Sequence, residues 1–257
     1  MRRVGILGGM GPEATVLLMQ RIIAATPAHD DADHIPLIVD QNPQVPSRIR
    51  HLIDGTGDDP GPVLAAMARR LQSAGAEALA MPCNTAHYYA DAIRAAAAVP
   101  LIDMVGLSVA RAAALAGPDG TVGILASPAI RKIGLFDRAL AAAGLTPLYA
   151  QDEDAMLAAI RAIKAEGATD AARTTLVRQS AGLLSRGARV QMVACTEFSL
   201  MADAVAPETT SFDTLDQLVD GIIAFATTGT GHGKAAPKPP GKSANAPDVQ
   251  PNKERTT

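Results

Sequence analysis

Short apolar runs alternate with long alanine-rich amphipathic segments along almost the whole chain. Short apolar runs are typical of buried strands, and apolar residues spaced three and four apart are typical of helices that cover a sheet. The alternation predicts repeated βα units, parallel sheets and right-handed crossovers. We expect strands at 4–7, 35–40, 78–81, 101–102, 122–125, 146–149 and 190–194, and helices at 12–25, 62–74, 85–97, 105–115, 129–143, 152–165, 169–185 and 215–225.

Two sequence features occur twice in the same order. The run Arg-Val-Gly-Ile-Leu at 3–7 is matched by Thr-Val-Gly-Ile-Leu at 121–125, and Cys83 is matched by Cys195 at a similar spacing. Accidental repetition of a common strand sequence is the alternative interpretation. The repeat predicts two similar α/β domains of ordinary size. We place the first at 1–99 plus about 207–228, and the second at 100–206.

Composition limits the core and the partners. Hydrophobic residues make up 48% of the chain, but only 3% are aromatic and there is no Trp, so Ala, Val, Ile and Leu must fill the interior. A net charge of −3 and a pI near 5.9 give no basic field. We therefore do not expect a nucleic-acid partner.

Apolar stretches, cysteine count and the N-terminal segment indicate where the protein is located. No apolar stretch is long enough and free enough of charge to predict a membrane span, so we expect no membrane association. Only two cysteines are present and the segment after Met1 does not resemble a signal peptide, which favours a reducing cytoplasm. The segment 229–257 is rich in Pro, Lys, Ser and Asn, and we expect it to be a disordered tail.

Each cysteine closes an apolar strand-like run, Cys83 in Met-Pro-Cys-Asn-Thr-Ala-His (81–87) and Cys195 in Val-Ala-Cys-Thr-Glu-Phe (193–198). Ligands of α/β proteins bind at the carboxyl ends of the strands, where the next helix begins. A helix N-terminus favours a thiolate that can act as base or nucleophile. For either cysteine alone, a buried inert residue is the simpler alternative. The neighbours that could cap the helix or bind a carboxylate oxygen are Asn84, Thr85 and Thr196.

The first strand leads into a glycine-rich turn. Gly8, Gly9 and Gly11 precede Pro12, which suits the first position of a helix. The amides of Gly9, Met10 and Gly11 are candidates to bind an anion such as a carboxylate. The glycine spacing is not that of a dinucleotide fold, although an acidic residue does follow the second strand at Asp40, so a nucleotide site stays as a minor alternative.

Two cations are candidate carboxylate ligands. Arg48 lies in a proline-bracketed loop after the second strand, where its guanidinium could bind a carboxylate in bidentate fashion. Lys164 lies near a helix end in the second half and could supply a cation from the opposite wall. A solvated loop arginine and a surface lysine are the alternatives.

Metal binding is not expected. His29 and His34 flank three aspartates, but a hydrophilic turn explains that cluster more simply than a metal site. His87 follows Cys83 by four residues, so a nucleophilic Cys–His pair is conceivable, although no third residue that would orient it is evident.

Three motifs in this order carry a family resemblance: Gly-Gly-Met-Gly-Pro-Glu-Ala-Thr at 8–15, Pro-Cys-Asn-Thr-Ala-His at 82–87 and Cys-Thr-Glu at 195–197. The chain resembles the aspartate racemases of the cofactor-independent aspartate/glutamate racemase superfamily, from residue 3 to about 226. Glutamate racemases usually have Cys-Thr-His at the last motif, so Cys-Thr-Glu favours the aspartate branch.

The resemblance implies two α/β domains with mostly parallel four-stranded sheets, related by a pseudo-twofold axis and facing each other across a cleft. It implies that Cys83 and Cys195 flank the substrate Cα, that Arg48 and Lys164 bind carboxylates, and that no cofactor is needed. A homodimer is frequent in the family. The expected reaction is the interconversion of L- and D-aspartate by proton transfer between two cysteines.

Several functions share these motifs. A broad-specificity or glutamate racemase would keep both cysteines, and related decarboxylases and maleate isomerases use the same scaffold. A two-domain protein that binds a dicarboxylate without turnover is an alternative of another class. The motifs do not separate aspartate from glutamate, because one methylene in a pocket is worth only about 1–3 kcal/mol.

Overall fold

A computed structural model describes residues 1–228, and the predicted tail at 229–257 lies outside the described residues. Two sheets are present, and every strand pairing in them is parallel. The first has the strand order β2-β1-β3 and the second β5-β4-β6-β7. The strands are β1 (Val4–Gly8), β2 (Leu37–Gln41), β3 (Ala78–Ala80), β4 (Thr121–Leu125), β5 (Thr146–Tyr149), β6 (Val190–Val193) and β7 (Thr210–Asp213).

Helices connect the parallel strands, as the alternating pattern predicts. The α-helices are α1 (Pro12–Ala25), α2 (Gly61–Ser73), α3 (Ala90–Ala96), α4 (Met104–Ala116), α5 (Pro128–Lys132), α6 (Asp137–Ala142), α7 (Glu153–Glu166), α8 (Asp170–Ser185) and α9 (Thr214–Thr227). Within residues 1–228 no helix is long and apolar enough to cross a membrane. The predicted α/β class with two parallel sheets is confirmed.

The first sheet has three strands, so the expectation of four was wrong for this sheet. Leu101 forms only an isolated parallel bridge to Leu79. The Leu79 amide donates to the Pro100 carbonyl and the Ile102 amide donates to the Leu79 carbonyl, both at 2.8 Å. Pro100 has no amide hydrogen and Asp103 already caps α4, so no longer strand can form there.

Two predicted helices are interrupted. The segment 129–143 splits into α5 and α6 because Gly134 adopts a left-handed φ of +60° between them. The segment 85–97 begins as a 3₁₀ helix, Thr85–Tyr89, before α3 continues. The sequence patterns also did not reveal β7 or the π-helix Arg50–Asp54.

Both cysteines lie in buried apolar clusters at the carboxyl ends of strands. Cys83 packs in one cluster with Leu7 and Met81. Cys195 packs in another with Leu125 and Val193. The strand β7 pairs with β6 in the second sheet, whereas the apolar face of α9 packs in the core beside β1 and α1. The domain boundaries near 99 and 206 stay a prediction.

Candidate active site

One cavity of about 700 Å³ contains both cysteines, which reach it from the two different sheets. Each cysteine is only 6% exposed, so its thiol meets the cavity from an otherwise buried position. Of the residues singled out in the sequence, those lining the cavity are Gly9, Met10, Gly11, Arg48, Cys83, Thr85, Lys164 and Cys195.

Cys83 follows β3 after Met81 and Pro82, and its backbone is fixed on both sides. Its amide donates to the Met81 carbonyl at 2.8 Å, and its carbonyl lies 2.8 Å from Nδ1 of His87. Burial lowers the pKa of His87, so the ring is neutral and donates from Nδ1 to this carbonyl. His87 therefore contacts the backbone of Cys83 in place of the thiol that a Cys–His pair requires.

Cys195 has a carboxylate neighbour. Its Sγ donates to Oε2 of Glu197 at 3.0 Å, in a turn that follows β6. Burial raises the pKa of the Cys195 thiol well above its usual range, and the nearby charge of Glu197 raises it further. Cys195 is consequently a protonated thiol at neutral pH.

Glu197 also forms an ion pair with Nζ of Lys164, from the last turn of α7. Burial alone would raise the pKa of Glu197, but the Lys164 charge and hydrogen bond outweigh it and the net pKa is lowered. Burial would likewise lower the pKa of Lys164, but the Glu197 partner raises it overall. Lys164, Glu197 and Cys195 thus form one connected polar group in the cavity wall.

The glycine-rich turn reaches the cavity, although one of its amides is already used. The Gly9 amide donates to Oγ1 of Thr15 at 2.9 Å. Gly9 has a φ of +92°, and a Cβ there would lie 2.4 Å from the Asn42 backbone, so only glycine fits this close approach. Gly11 caps α1 and Pro12 follows it, as the sequence predicts.

The Arg48 guanidinium is positioned by backbone carbonyls. It donates to Pro46 at 3.1 Å, to Val45 at 3.4 Å and, across the turn, to Met10 at 3.4 Å. Among the ion pairs within residues 1–228, no carboxylate partners Arg48. The cavity therefore contains an oriented cation available to an anionic ligand.

Asn84 and Thr196 lie behind the cavity wall, although both flank the cysteines in sequence. They are 2% exposed, and Nδ2 of Asn84 donates to Oγ1 of Thr214 at 2.9 Å. Their proposed contacts with a substrate stay predictions.

Other polar residues of the cavity were not assigned a role from the sequence. In the sequence Glu197 is only a marker of the aspartate branch, because its partner Lys164 is remote in sequence and meets it only in the fold. Nor did any sequence signal assign a role to the other polar lining residues, which include Glu13, Ser127, Arg50, Asp54 and Arg161.

Comparisons with known proteins identify the family of the chain. The family model described as Asp/Glu/Hydantoin racemase matches residues 7–228. The chain is 25% identical over 219 residues to the broad-specificity amino-acid racemase RacX of Bacillus subtilis, covering 80% of this chain and 89% of that protein.

Solved racemase structures share the fold. The aspartate racemase of Picrophilus torridus superposes with a TM-score of 0.78 at 24% identity, over 88% of this chain and 94% of that chain. A glutamate racemase from Francisella tularensis, solved with D-glutamate, gives a TM-score of 0.60 at 16% identity, over 87% and 80% of the two chains. The chain belongs to the Asp/Glu/hydantoin racemase family.

Proposed function

We propose that this protein racemises an acidic amino acid, with aspartate as the substrate, and that Cys83 and Cys195 transfer the α-proton without a cofactor. The observation that carries the proposal is that one cavity combines these two thiols, from different sheets, with the unpaired guanidinium of Arg48. Family membership supports the reaction class.

Two thiols suit racemisation because the proton leaves one face of Cα and another arrives at the opposite face. A single base would tend to return the proton to the face it came from. In the proposed cycle the thiolate of one cysteine accepts the α-proton and the thiol of the other protonates the carbanion, and the two cysteines take the opposite roles for the opposite enantiomer. Proton exchange with solvent resets the two sulfur atoms for another turnover of the same enantiomer. Cys195, held as a thiol beside Glu197, is the acid for one enantiomer, and Cys83 is then the base.

The carbanion needs stabilisation from the cavity wall. As the Cα–H bond breaks, negative charge moves to the α-carboxylate, and donors aligned beforehand lower the barrier. Arg48 is the candidate cation, and Thr85 and the amides of Met10 and Gly11 are candidate donors. Lys164 is the candidate partner of the second carboxylate of the substrate. Its ammonium group would then contact both that carboxylate and Glu197.

A broad-specificity amino-acid racemase is the second candidate function. The pairing of Lys164 with Glu197 favours it, because Glu197 already neutralises the lysine that would bind a second substrate carboxylate. Arg48 then suits the single carboxylate of a neutral amino acid as well as one end of aspartate. A panel of L- and D-amino acids separates the two candidates.

Incubation with L-aspartate in D₂O tests the proposal. We expect D-aspartate that carries deuterium at Cα, without added cofactor, because the proton delivered to the new face comes from a solvent-exchanged thiol. Chiral chromatography with mass spectrometry measures both properties. Cys83→Ser and Cys195→Ser should each reduce racemisation at least ~10³-fold.

The Lys132→Met protein, altered at a surface amine outside the cavity lining, is the control and should stay active. Inertness of the unmodified protein towards every amino acid of the panel contradicts the racemase proposal. Full activity of either cysteine variant contradicts the two-base scheme.

A further inference from the structure

We infer that the junction between β7 and α9, Asp213 and Thr214, positions the two cysteines relative to each other. The inference rests on the proposed two-cysteine function. Neither residue lines the cavity, and both are buried, at 3% and 0% exposure. Each makes side-chain hydrogen bonds to segments that carry a cysteine.

Thr214 links the segments of both cysteines through one hydroxyl group. Its Oγ1 accepts a hydrogen bond from Nδ2 of Asn84, the residue after Cys83, at 2.9 Å. The same Oγ1 donates to the carbonyl of Val193, two residues before Cys195, at 3.0 Å. One buried atom therefore connects the end of the first sheet with the end of the second.

Asp213 fixes the turn that follows Cys195. Its Oδ1 accepts from Oγ of Ser199 at 2.8 Å and from the Leu215 amide at 2.9 Å. Its Oδ2 accepts from Nη1 of Arg21 at 2.5 Å. The Ser199 amide in turn donates to the Cys195 carbonyl at 3.2 Å, which joins this network to the cysteine itself.

Arg21 extends the network to the glycine-rich turn. It lies on α1, the helix that begins at that turn, and its Nη2 donates to the Ser199 carbonyl at 2.7 Å. The junction thus connects three elements of the cavity wall: the segment of Cys83, the turn of Cys195 and α1. Hydrogen bonds buried from water keep such a network rigid, because breaking one leaves an unsatisfied polar group.

Rigid spacing matters for a two-base reaction. The two sulfur atoms must approach opposite faces of one carbon, and a displacement of about 1 Å costs on the order of 10²-fold in rate. If one cysteine moves away, the carbanion formed by the other waits longer for protonation on the new face. During this time the cysteine that accepted the α-hydrogen exchanges it with solvent. That same cysteine then returns a solvent hydrogen to the original face, so the substrate is recovered with its α-hydrogen exchanged.

Thr214→Val tests the inference, because valine keeps the shape of threonine and removes only the hydroxyl. The substrate is α-deuterated L- or D-aspartate in H₂O. Two quantities are measured: the deuterium lost from recovered substrate relative to inversion, and the primary isotope effect on kcat. We expect kcat to fall and at least one of the two quantities to rise. Where the ratio of deuterium loss to inversion rises, we expect an increase of about tenfold.

Thr214→Ser should restore both quantities towards the unmodified protein, because it keeps the hydroxyl. Thr26→Val is the matched control, since it removes a buried hydroxyl that donates to the Ile22 carbonyl within α1, away from the cysteines. It should leave both quantities unchanged. If Thr214→Val does not fold, Asp213→Asn provides the same test through the turn of Cys195.

A purely structural role predicts a different result. A loss of folded protein lowers the rate but changes neither the exchange ratio nor the isotope effect. Values unchanged from the unmodified protein in the folded junction variant overturn the inference. Absence of racemisation in the unmodified protein instead overturns the proposed function, so the two failures are distinguishable.

Discussion

Glu197 is the residue that makes the two cysteines chemically unlike. Cys195 donates to its carboxylate, whereas the contacts described around Cys83 involve the backbone. Because Glu197 is ionised and paired with Lys164, it accepts the thiol proton in a hydrogen bond without removing it. The resting protein therefore presents Cys195 as a proton donor.

Replacing Glu197 should make Cys195 more acidic. In the Cys83→Ser background Cys195 is the only thiol of the chain, so alkylation by iodoacetamide reports its thiolate alone. Burial and Glu197 both raise the pKa of this thiol. We expect Glu197→Gln to lower the alkylation midpoint by about one pH unit or more, because only the burial contribution remains beside Lys164.

Glu77→Gln in the same background is the control, since Glu77 is an exposed carboxylate in an ion pair with Arg2. It should leave the midpoint in place. A midpoint that stays put or moves upward in Glu197→Gln would show that Glu197 does not control the protonation of Cys195.

The sequence identifies some cavity residues and misses others for a physical reason. Cys83, Cys195 and Arg48 each follow a predicted strand, and parallel strands end at a common edge, so local pattern is enough to place them near a site. The Lys164–Glu197 pair depends on how α7 packs against the turn after β6. No local pattern encodes such a long-range contact.

At the scale of elements, α5 and α6 show how one glycine redirects a helix. The apolar periodicity of 129–143 predicts a single helix, but Gly134 at φ +60° ends α5 and turns the chain into α6. Composition alone does not distinguish this glycine from one that a helix tolerates, such as Gly182 within α8. Short elements fixed by tertiary contacts, such as β7, are missed for the same reason.

Alanine substitutions at these two glycines should have opposite effects on stability. Gly134→Ala should lower the free energy of unfolding by about 1 kcal/mol or more, because an L side chain disfavours a left-handed φ. Gly182→Ala should raise it by up to about 1 kcal/mol, because a Cβ there meets nothing within 4 Å and alanine favours a helix.

Urea denaturation measures the free energy of unfolding of both variants and of the unmodified protein. Each variant is the control for the other, because the two substitutions are the same and the expected changes have opposite signs. A stabilised Gly134→Ala protein would mean that α5 and α6 do not require the turn described here. Both residues lie outside the cavity lining, so racemase activity at a temperature well below unfolding should be unchanged.

At the scale of the whole molecule, the fold buries one thiol and two phenol groups that would lose their protons more readily in water. Burial raises the pKa of Cys195 and raises the pKa of Tyr89 to about 12. It also raises the pKa of Tyr149, to which a hydrogen bond with Asp137 contributes further. These groups are neutral in the folded chain at a pH where the unfolded chain loses protons. Their contribution to stability is complete below the unfolded pKa values and is lost as pH rises towards the folded ones.

We therefore expect the free energy of unfolding to fall as pH rises above about 9 to 10. Tyr89→Phe should make this fall shallower, because it removes one of the protons that unfolding releases. Near neutral pH it should leave stability unchanged or raise it by up to about 1 kcal/mol, because the Tyr89 hydroxyl is buried without a partner within residues 1–228.

Urea titrations at several pH values measure the slope. Tyr88→Phe is the matched control, since Tyr88 is 53% exposed and its loss should leave the slope unchanged. An unmodified protein whose stability does not decline in alkali would contradict the assignment of these groups.

The contrast between the cysteines has a thermodynamic consequence for a racemase. L- and D-enantiomers have equal free energies in water, so the equilibrium constant is one and kcat/KM must be the same in both directions. Two chemically different proton-transfer groups, one beside Glu197 and one without it, cannot alter that equality. The asymmetry must instead appear as kcat and KM values that differ between the enantiomers by the same factor. The protein can therefore favour one direction only in its rate at saturating substrate.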